Sequence, residues 1–176
     1  KDNPLADVLY GIDNTLLTRA LNASLFENYK STNLSNISEE YILDNNHYVT
    51  PVNYGDVCIN YDKKYFQTNS LKIPNSLAQL TNPEYANLLV IQNPAASSTG
   101  LAFLLATIGH FGPESYLNYW SSLKDNGVMI VEDWESAYYT EFSGSSGKGN
   151  YPMVVSYASS PPAEVIFSET PITNAP

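Results

Sequence analysis

The sequence predicts an α/β fold in which helices cover a largely parallel sheet. Segments typical of helices and strands alternate from residue 76 to residue 160, which is the pattern of strands joined by helices. A strand–loop–helix unit precedes them at residues 6–29. Hydrophobic residues make up 43% and charged residues 15% of the 176 residues, a composition that suits a protein with a packed core.

The first predicted unit begins with the apolar segment ADVLYGID, residues 6–13, which has the character of a buried strand. Asp13 or Asn14 is then placed to cap a helix over residues 14–29. Five apolar residues of that segment share one helical face: Leu16, Leu17, Ala20, Leu21 and Leu25.

The middle of the chain predicts loop and then strand. Residues 31–50 are polar and rich in Asn and Ser, which favours loop. Residues 48–62 predict an extended strand in which Val57 and Ile59 fall on one face and Cys58 on the other.

The remaining elements alternate along the chain, after a short helix and a turn at Pro83. In chain order they are a strand at 88–92, a helix at 95–112, a helix at 115–127 that ends at Gly127, a strand at 128–133, a helix at 134–144 and a strand at 151–159. The last residues, 168–176, are typical of a loop.

Three loops that follow predicted strands carry the candidate ligand-binding residues. Loops at the carboxyl ends of parallel strands meet at one edge of an open sheet, so we expect these side chains to lie together. They are Ser97, Ser98 and Thr99 in the first loop, Trp134 in the second, and Tyr157, Ser159 and Ser160 in the third.

Each loop also has a structural interpretation that the residues leave open. Ser98 or Thr99 would serve equally as the N-cap of the following helix. Trp134 would serve as an amphipathic cover for a strand end. The segment from Tyr157 to the prolines at 161–162 would serve as a strand that ends in a turn.

Several classes of function are disfavoured by composition. The formal net charge of −10 argues against a nucleic-acid partner, which requires basic side chains. The two histidines, His47 and His110, are far apart and no zinc-type spacing is present, so no metal site is expected. No apolar run approaches the length of a membrane span. Cys58, the single cysteine, is interpreted as a buried structural thiol because no base lies beside it in its strand.

The motifs GIDN, DWESAY and VVSYASSP occur in this order, at residues 11–14, 133–138 and 154–161. With the segments around them, the chain resembles the thiamine-binding periplasmic proteins of ABC importers, which belong to the two-lobed, type II solute-binding proteins. The resemblance covers nearly the whole chain and is weak only at residues 31–47.

The resemblance implies the fold and its division. We expect a periplasmic-binding-protein-like type II fold that comprises mainly the second lobe and the end of the first, within a longer protein. Residues 1–50 would be the C-terminal portion of a first-lobe segment, residues 51–60 the strand that crosses between lobes, and residues 61–176 the second lobe.

The resemblance also implies the function. The protein would capture thiamine, or its phosphate esters, between two lobes and deliver it to the membrane permease of an ABC importer. It would act in the periplasm or another extracytoplasmic space, with or without a lipid anchor, as a binding protein without catalytic residues, metal or cofactor. The implied ligand-binding residues are Ser97, Ser98, Trp134, Tyr157, Ala158, Ser159 and Ser160.

Two positions depart from some members of that family. Ala163 stands where some members have Tyr, which removes one aromatic wall. Ala95 stands where some have Arg, which weakens any preference for a phosphate ester. Two alternatives remain from the same superfamily. One is a binder of ferric ion or another small cation, and the other is a thiamine-degrading enzyme with Cys58 as its nucleophile.

Overall fold

A four-stranded sheet in the order β1-β4-β2-β3 organises the second part of the chain. The computed structural model describes residues 5–167, so the predicted loop at 168–176 lies outside the described residues. The chain divides into two compact units, Lys1–Tyr54 and Gly55–Pro176. The strands all belong to the second unit and are β1 (Val57–Tyr61), β2 (Leu89–Gln92), β3 (Met129–Val131) and β4 (Met153–Tyr157).

The sheet is largely parallel, as predicted. β2 pairs in parallel with β3 on one side and β4 on the other, whereas β1 runs antiparallel to β4. Strand β2 is buried along its whole length, as expected for a parallel strand that is covered on both faces. The carboxyl ends of β2, β3 and β4 therefore lie at the same edge of the sheet, which we call the rim.

In the second unit, helices connect and cover the strands. They are α2 (Lys63–Thr68), α3 (Ser98–Phe111), α4 (Tyr116–Asp125), a π-helix (Ser136–Glu141) and α5 (Ser160–Phe167). The first unit contains α1 (Leu17–Asn22). Short 3₁₀ turns cover Thr32–Asn36, Glu39–Tyr41, Ala78–Thr81 and Pro83–Tyr85. Within residues 5–167, every helix is too short or too polar to serve as a membrane span.

Helix ends follow local hydrogen-bonding chemistry. The carboxylate of Asp62 accepts from the backbone N–H groups of Lys64 and Tyr65, at 3.0 and 3.1 Å, and so begins α2, a helix that the sequence analysis missed. Helix α4 ends as predicted, because Gly127 adopts a positive φ of 77° that a glycine accommodates without strain.

Two apolar clusters cover the two faces of the sheet. Residues alternate between the faces along a strand, so Leu89 and Ile91 of β2 join the first cluster and Val90 joins the second. The first cluster also includes Phe66, Leu80, Tyr85, Phe103, Tyr119, Leu123, Met153 and Val155. The second is built by Ala137 and Tyr138 of the π-helix with Phe142 and Val154. The predicted arrangement, a sheet between helical layers, is confirmed.

In the first unit, two predicted elements are wrong or too long. Residues 6–13 form no strand, and Val8 and Leu9 are 82% and 63% exposed. A strand needs a neighbour to take its backbone hydrogen bonds, and no described residue pairs with this segment. The predicted helix at 14–29 is limited to α1, which buries none of its side chains. Asp13 does accept hydrogen bonds from the N–H groups of Thr15 and Leu16, in the turn that leads into α1.

In the second unit, three predictions need correction. The strand predicted at 48–62 is limited to β1, because pairing with β4 begins only at Val57. Cys58 is exposed rather than buried, near the start of the edge strand β1, although Asn60 on the same face of that strand is buried. The predicted turn at Ser160 is instead the start of α5, because prolines in the first turn of a helix forgo only N–H groups that lack a helical partner.

The close approach of α3 to β2 predicts opposite effects for two glycine substitutions in one helix. A Cβ atom on Gly100 would lie 2.8 Å from the carbonyl carbon of Gln92, whereas one on Gly109 would have nothing within 4 Å. We expect Gly100→Ala to lower the free energy of unfolding by about 1–3 kcal/mol. Gly109→Ala should raise it by about 0.5–1 kcal/mol through helix propensity. Chemical denaturation measures both, and equal effects of the two changes would contradict the packing described.

Candidate functional site

The three predicted loops meet at the rim. They continue from Gln92, Val131 and Tyr157, the last residues of three neighbouring strands. Asn93 joins the first two loops, because its backbone N–H donates to the carbonyl of Val131 at 2.7 Å and its side-chain amide donates to Glu132 at 3.1 Å. The third loop joins the start of β1 through the N–H of Ala158, which donates to the carbonyl of Asp56.

Trp134 and Tyr157 lie side by side at this rim, as the sequence predicted. Their ring centroids are 6.3 Å apart and their planes are inclined by 45°. Both side chains are half-buried, so each is held by the protein while part of it faces solvent. Two aromatic rings from different strands therefore form one composite surface.

The indole of Trp134 is fixed by two contacts within the protein. Its Nε1–H donates to Oγ of Ser156 at 2.9 Å. Its ring is stacked on the buried ring of Tyr138, with centroids 4.9 Å apart and planes inclined by 17°. Burial raises the pKa of the Tyr138 phenol to about 12, so this supporting ring is neutral at neutral pH. The indole is thus oriented before any ligand arrives.

The third loop presents only part of its polar chemistry to solvent. Ala158 and Ser159 are exposed, whereas Ser160 is 8% exposed and its Oγ lies 2.9 Å from Oγ of the fully buried Ser156. The two serines are neighbours in the sequence, but the start of α5 places the side chain of Ser160 inside and leaves Ser159 exposed. Ser156 was missed because a serine in an otherwise apolar strand gives no functional signal of its own.

The first loop leads into α3 without a side-chain cap. Ser97 is the N-cap residue and makes no capping hydrogen bond with its side chain, and Ser98 is the first residue of the helix. The alternative interpretation of this loop, in which Ser98 or Thr99 caps α3, is therefore wrong. The hydroxyl of Thr99 instead donates to Oε1 of Gln92 at 2.6 Å, and Oγ of Ser97 lies 3.0 Å from Oγ1 of Thr99.

Gln92 is a second residue that the sequence analysis missed. It is fully buried at the end of β2, and its Nε2 donates to the carbonyl of Val155 at 2.9 Å. The available signal was its position, since an amide at the end of an apolar strand requires partners when buried. It holds the first loop against β4.

The rim is acidic. Glu132, Asp133 and Glu135 are all exposed beside Trp134. The backbone N–H of Ser136 donates to Asp133 at 2.7 Å and lowers the pKa of that carboxyl, which is therefore ionised at neutral pH. These carboxylates, on a chain with a net charge of −10, make the electrostatic potential around Trp134 negative.

Cys58, the candidate nucleophile of the thiamine-degrading alternative, has a thiol pKa that is unfavourable for nucleophilic attack. Partial desolvation and the negative charge of Asp56 raise the pKa of the Cys58 thiol, against a smaller opposite effect of Asn60. A raised pKa reduces the thiolate fraction that a cysteine nucleophile needs. Among the described residues, no group of three or more His, Cys, Asp or Glu side chains is placed to hold a metal ion.

Comparison with known proteins gives consistent matches. The family model for bacterial extracellular solute-binding proteins matches residues 3–163. Thiamine-binding periplasmic proteins from Brucella abortus biovar 1 (strain 9-941) and Escherichia coli (strain K12) are 29% and 30% identical over 171 and 166 residues. The matches cover 94% and 93% of this chain and 46% of each relative. The chain thus spans about half the length of the curated relatives it matches.

Solved structures show the same pattern. A periplasmic thiamin-binding protein is 25% identical with a TM-score of 0.66, over 92% of this chain and 47% of that one. The periplasmic binding protein P5PA has a TM-score of 0.76, over 96% of this chain and 52% of that one. AfuA from Actinobacillus pleuropneumoniae, with fructose-6-phosphate bound, has a TM-score of 0.69, over 89% of this chain and 49% of that one. The last two are 20% identical and indicate the fold alone.

The hydrogen bond from Trp134 to Ser156 predicts that removing the Ser156 hydroxyl lowers the stability of the protein. Ser156→Ala leaves the indole N–H without its acceptor in a buried setting, which should lower the free energy of unfolding by about 1–3 kcal/mol. In a Trp120→Phe background, where Trp134 is the remaining tryptophan, its fluorescence emission should shift as well. Ser159→Ala, at an exposed position three residues away, is the matched control. Identical stability and emission for both variants would contradict the assigned role.

Proposed function

Because the chain belongs to the family of bacterial extracellular solute-binding proteins, we propose that it is part of the binding component of a thiamine importer. The observation that supports this most is the pair of rings, Trp134 and Tyr157, on an acidic rim. Thiamine joins a flat aminopyrimidine to a thiazolium cation. A cation over an aromatic face gains about 0.5–2 kcal/mol, and flat rings stack on such faces.

In this proposal the three loops divide the work of recognition. The rings of Trp134 and Tyr157 provide the aromatic surface. The exposed backbone and hydroxyl of Ala158 and Ser159 and the hydroxyls of Ser97 and Ser98 provide polar contacts. Ser160 supports the surface from within, because its hydroxyl lies against buried Ser156.

We propose thiamine itself ahead of its phosphate esters. Ala95 provides no positive charge in the first loop, and the neighbouring loop carries exposed carboxylates at Glu132 and Asp133. A phosphate group would meet repulsion from that side. The free N–H groups at the start of α3 offer the one feature in favour of an ester.

The length of the chain supports a division of the longer protein into two lobes. The chain spans about half of its curated relatives, and the boundary between its two units falls at Tyr54. We propose that residues 1–50 belong to a first lobe, that residues 51–60 cross between lobes and that residues 61–176 belong to the second lobe. Ligand would close the two lobes, and the closed protein would deliver it from the periplasm to a membrane permease.

The ring pair predicts a large loss of affinity from one substitution. The proposal places this chain in a longer, two-lobed protein. Isothermal titration of that longer protein with thiamine should show binding. Trp134→Ala should weaken it at least about tenfold, because stacking and cation contacts are lost together. Trp120→Phe, in which the altered indole bonds Thr107 away from the rim, is the control and should leave affinity unchanged. Tyr157→Ala provides a second test if Trp134→Ala unfolds. No heat with thiamine would overturn the proposal.

The division into lobes predicts a difference in thiamine affinity between this chain and the longer protein. The 176-residue chain alone should bind thiamine far more weakly than the longer protein, because it presents one wall of a cleft that two lobes complete. Equilibrium dialysis with labelled thiamine compares the two proteins directly. Equal affinity would show that the rim described here is sufficient and would contradict the two-lobed site.

A further inference from the structure

Behind the first loop, Gln92, Thr99 and Ser97 form a chain of hydrogen bonds, in which each donor can be assigned. It begins at Gln92, whose side-chain amide faces the carbonyl oxygen of Val155 at 2.9 Å. A carbonyl oxygen only accepts hydrogen bonds, so the atom of Gln92 that faces it must be the NH₂ group. The amide oxygen of Gln92 is therefore turned toward Thr99.

The next two protons follow from that orientation. Oγ1 of Thr99 lies 2.6 Å from the amide oxygen of Gln92, which accepts the one proton of the threonine hydroxyl. Oγ1 of Thr99 then has lone pairs but no proton for Ser97, whose Oγ is 3.0 Å away. A hydrogen bond between these two hydroxyls therefore has Ser97 as its donor and Thr99 as its acceptor.

Burial keeps this arrangement in place. Gln92 and Thr99 are both fully buried, so water has no access to offer either an alternative partner. Reversing the chain would set two carbonyl oxygens against each other, which costs an unmade buried hydrogen bond. Ser97 is half-buried at the rim, and its hydroxyl is the last group in this chain of hydrogen bonds.

We propose that Ser97 presents only acceptor lone pairs to the ligand, and that Thr99 and Gln92 are the positioning residues that impose this polarity. The inference rests on the proposed function and adds a specificity to it. The ligand group at Ser97 must be a hydrogen-bond donor. Thiamine carries two such donors, the amino group of the pyrimidine and the terminal hydroxyl, and the proposal places the amino group at Ser97. A phosphate or carbonyl oxygen is rejected at this position.

Neutron diffraction tests the proton positions without any ligand. In crystals of the protein exchanged into heavy water, a deuterium on Oγ of Ser97 should point to Thr99, and a deuterium on Oγ1 of Thr99 should point to Gln92. A deuterium on Thr99 that points to Ser97, or one on Ser97 that points into solvent, overturns the inference.

A pair of ligands tests the consequence for recognition. Oxythiamine carries an oxygen in place of the amino group, so it should bind at least about tenfold more weakly than thiamine to the unaltered longer protein. Thr99→Val removes the acceptor for Ser97 and frees its proton to turn outward, and the discrimination should fall to about threefold or less. Thr99→Ser keeps the hydroxyl and should restore it. An unchanged ratio in Thr99→Val overturns the inference.

Thr107→Val is the matched control, because Thr107 is another fully buried threonine of α3 whose hydroxyl bonds Leu104 and Trp120 instead. It should cost stability and leave the ratio of the two affinities unchanged. A change as large as that in Thr99→Val would assign the effect to helix packing and overturn the inference. If the unaltered protein binds no thiamine, the proposed function fails, and the neutron map alone decides the polarity of Ser97.

Discussion

The parallel pairing of β2 with β3 and β4 is the constraint on which the rest of the structure depends. It places the carboxyl ends of three strands at one edge, so that loops separated by dozens of residues in the chain become neighbours. The pairing requires both faces of the central strands to be covered. The two apolar clusters provide that cover, with α3 and α4 on one face and the π-helix on the other.

The rim that results is organised from within. Trp134 is held by a stacked tyrosine and a buried serine, and Ser97 is held through Thr99 by a buried amide. Fixing these groups in the free protein reduces the entropy lost when a ligand binds. The buried side chains of Gln92, Thr99 and Ser156 all have hydrogen-bond partners, and these bonds orient the residues at the surface.

The side chains gathered at the rim suit the recognition role that we propose for it. Aromatic faces, hydroxyl groups and carboxylates gather there, while the one thiol, Cys58, has a raised pKa. These features agree with membership of a solute-binding family and with about 30% identity to thiamine-binding relatives over almost the whole chain. The acidic residues beside Trp134 are the basis of our proposal that thiamine binds ahead of its phosphate esters.

The sequence by itself determined the alternation of strands and helices from residue 76 onward and the three loops that follow strands, because hydrophobic periodicity and turn residues are local signals. It failed at residues 6–13, where a strand-like pattern pairs with no strand of the described residues, and at α5, where prolines begin a helix. Only the tertiary structure decided that Ser160 turns inward and that Gln92 and Ser156 support the rim. The physical reason is that a buried polar side chain is defined by partners distant in the chain, which no local pattern specifies.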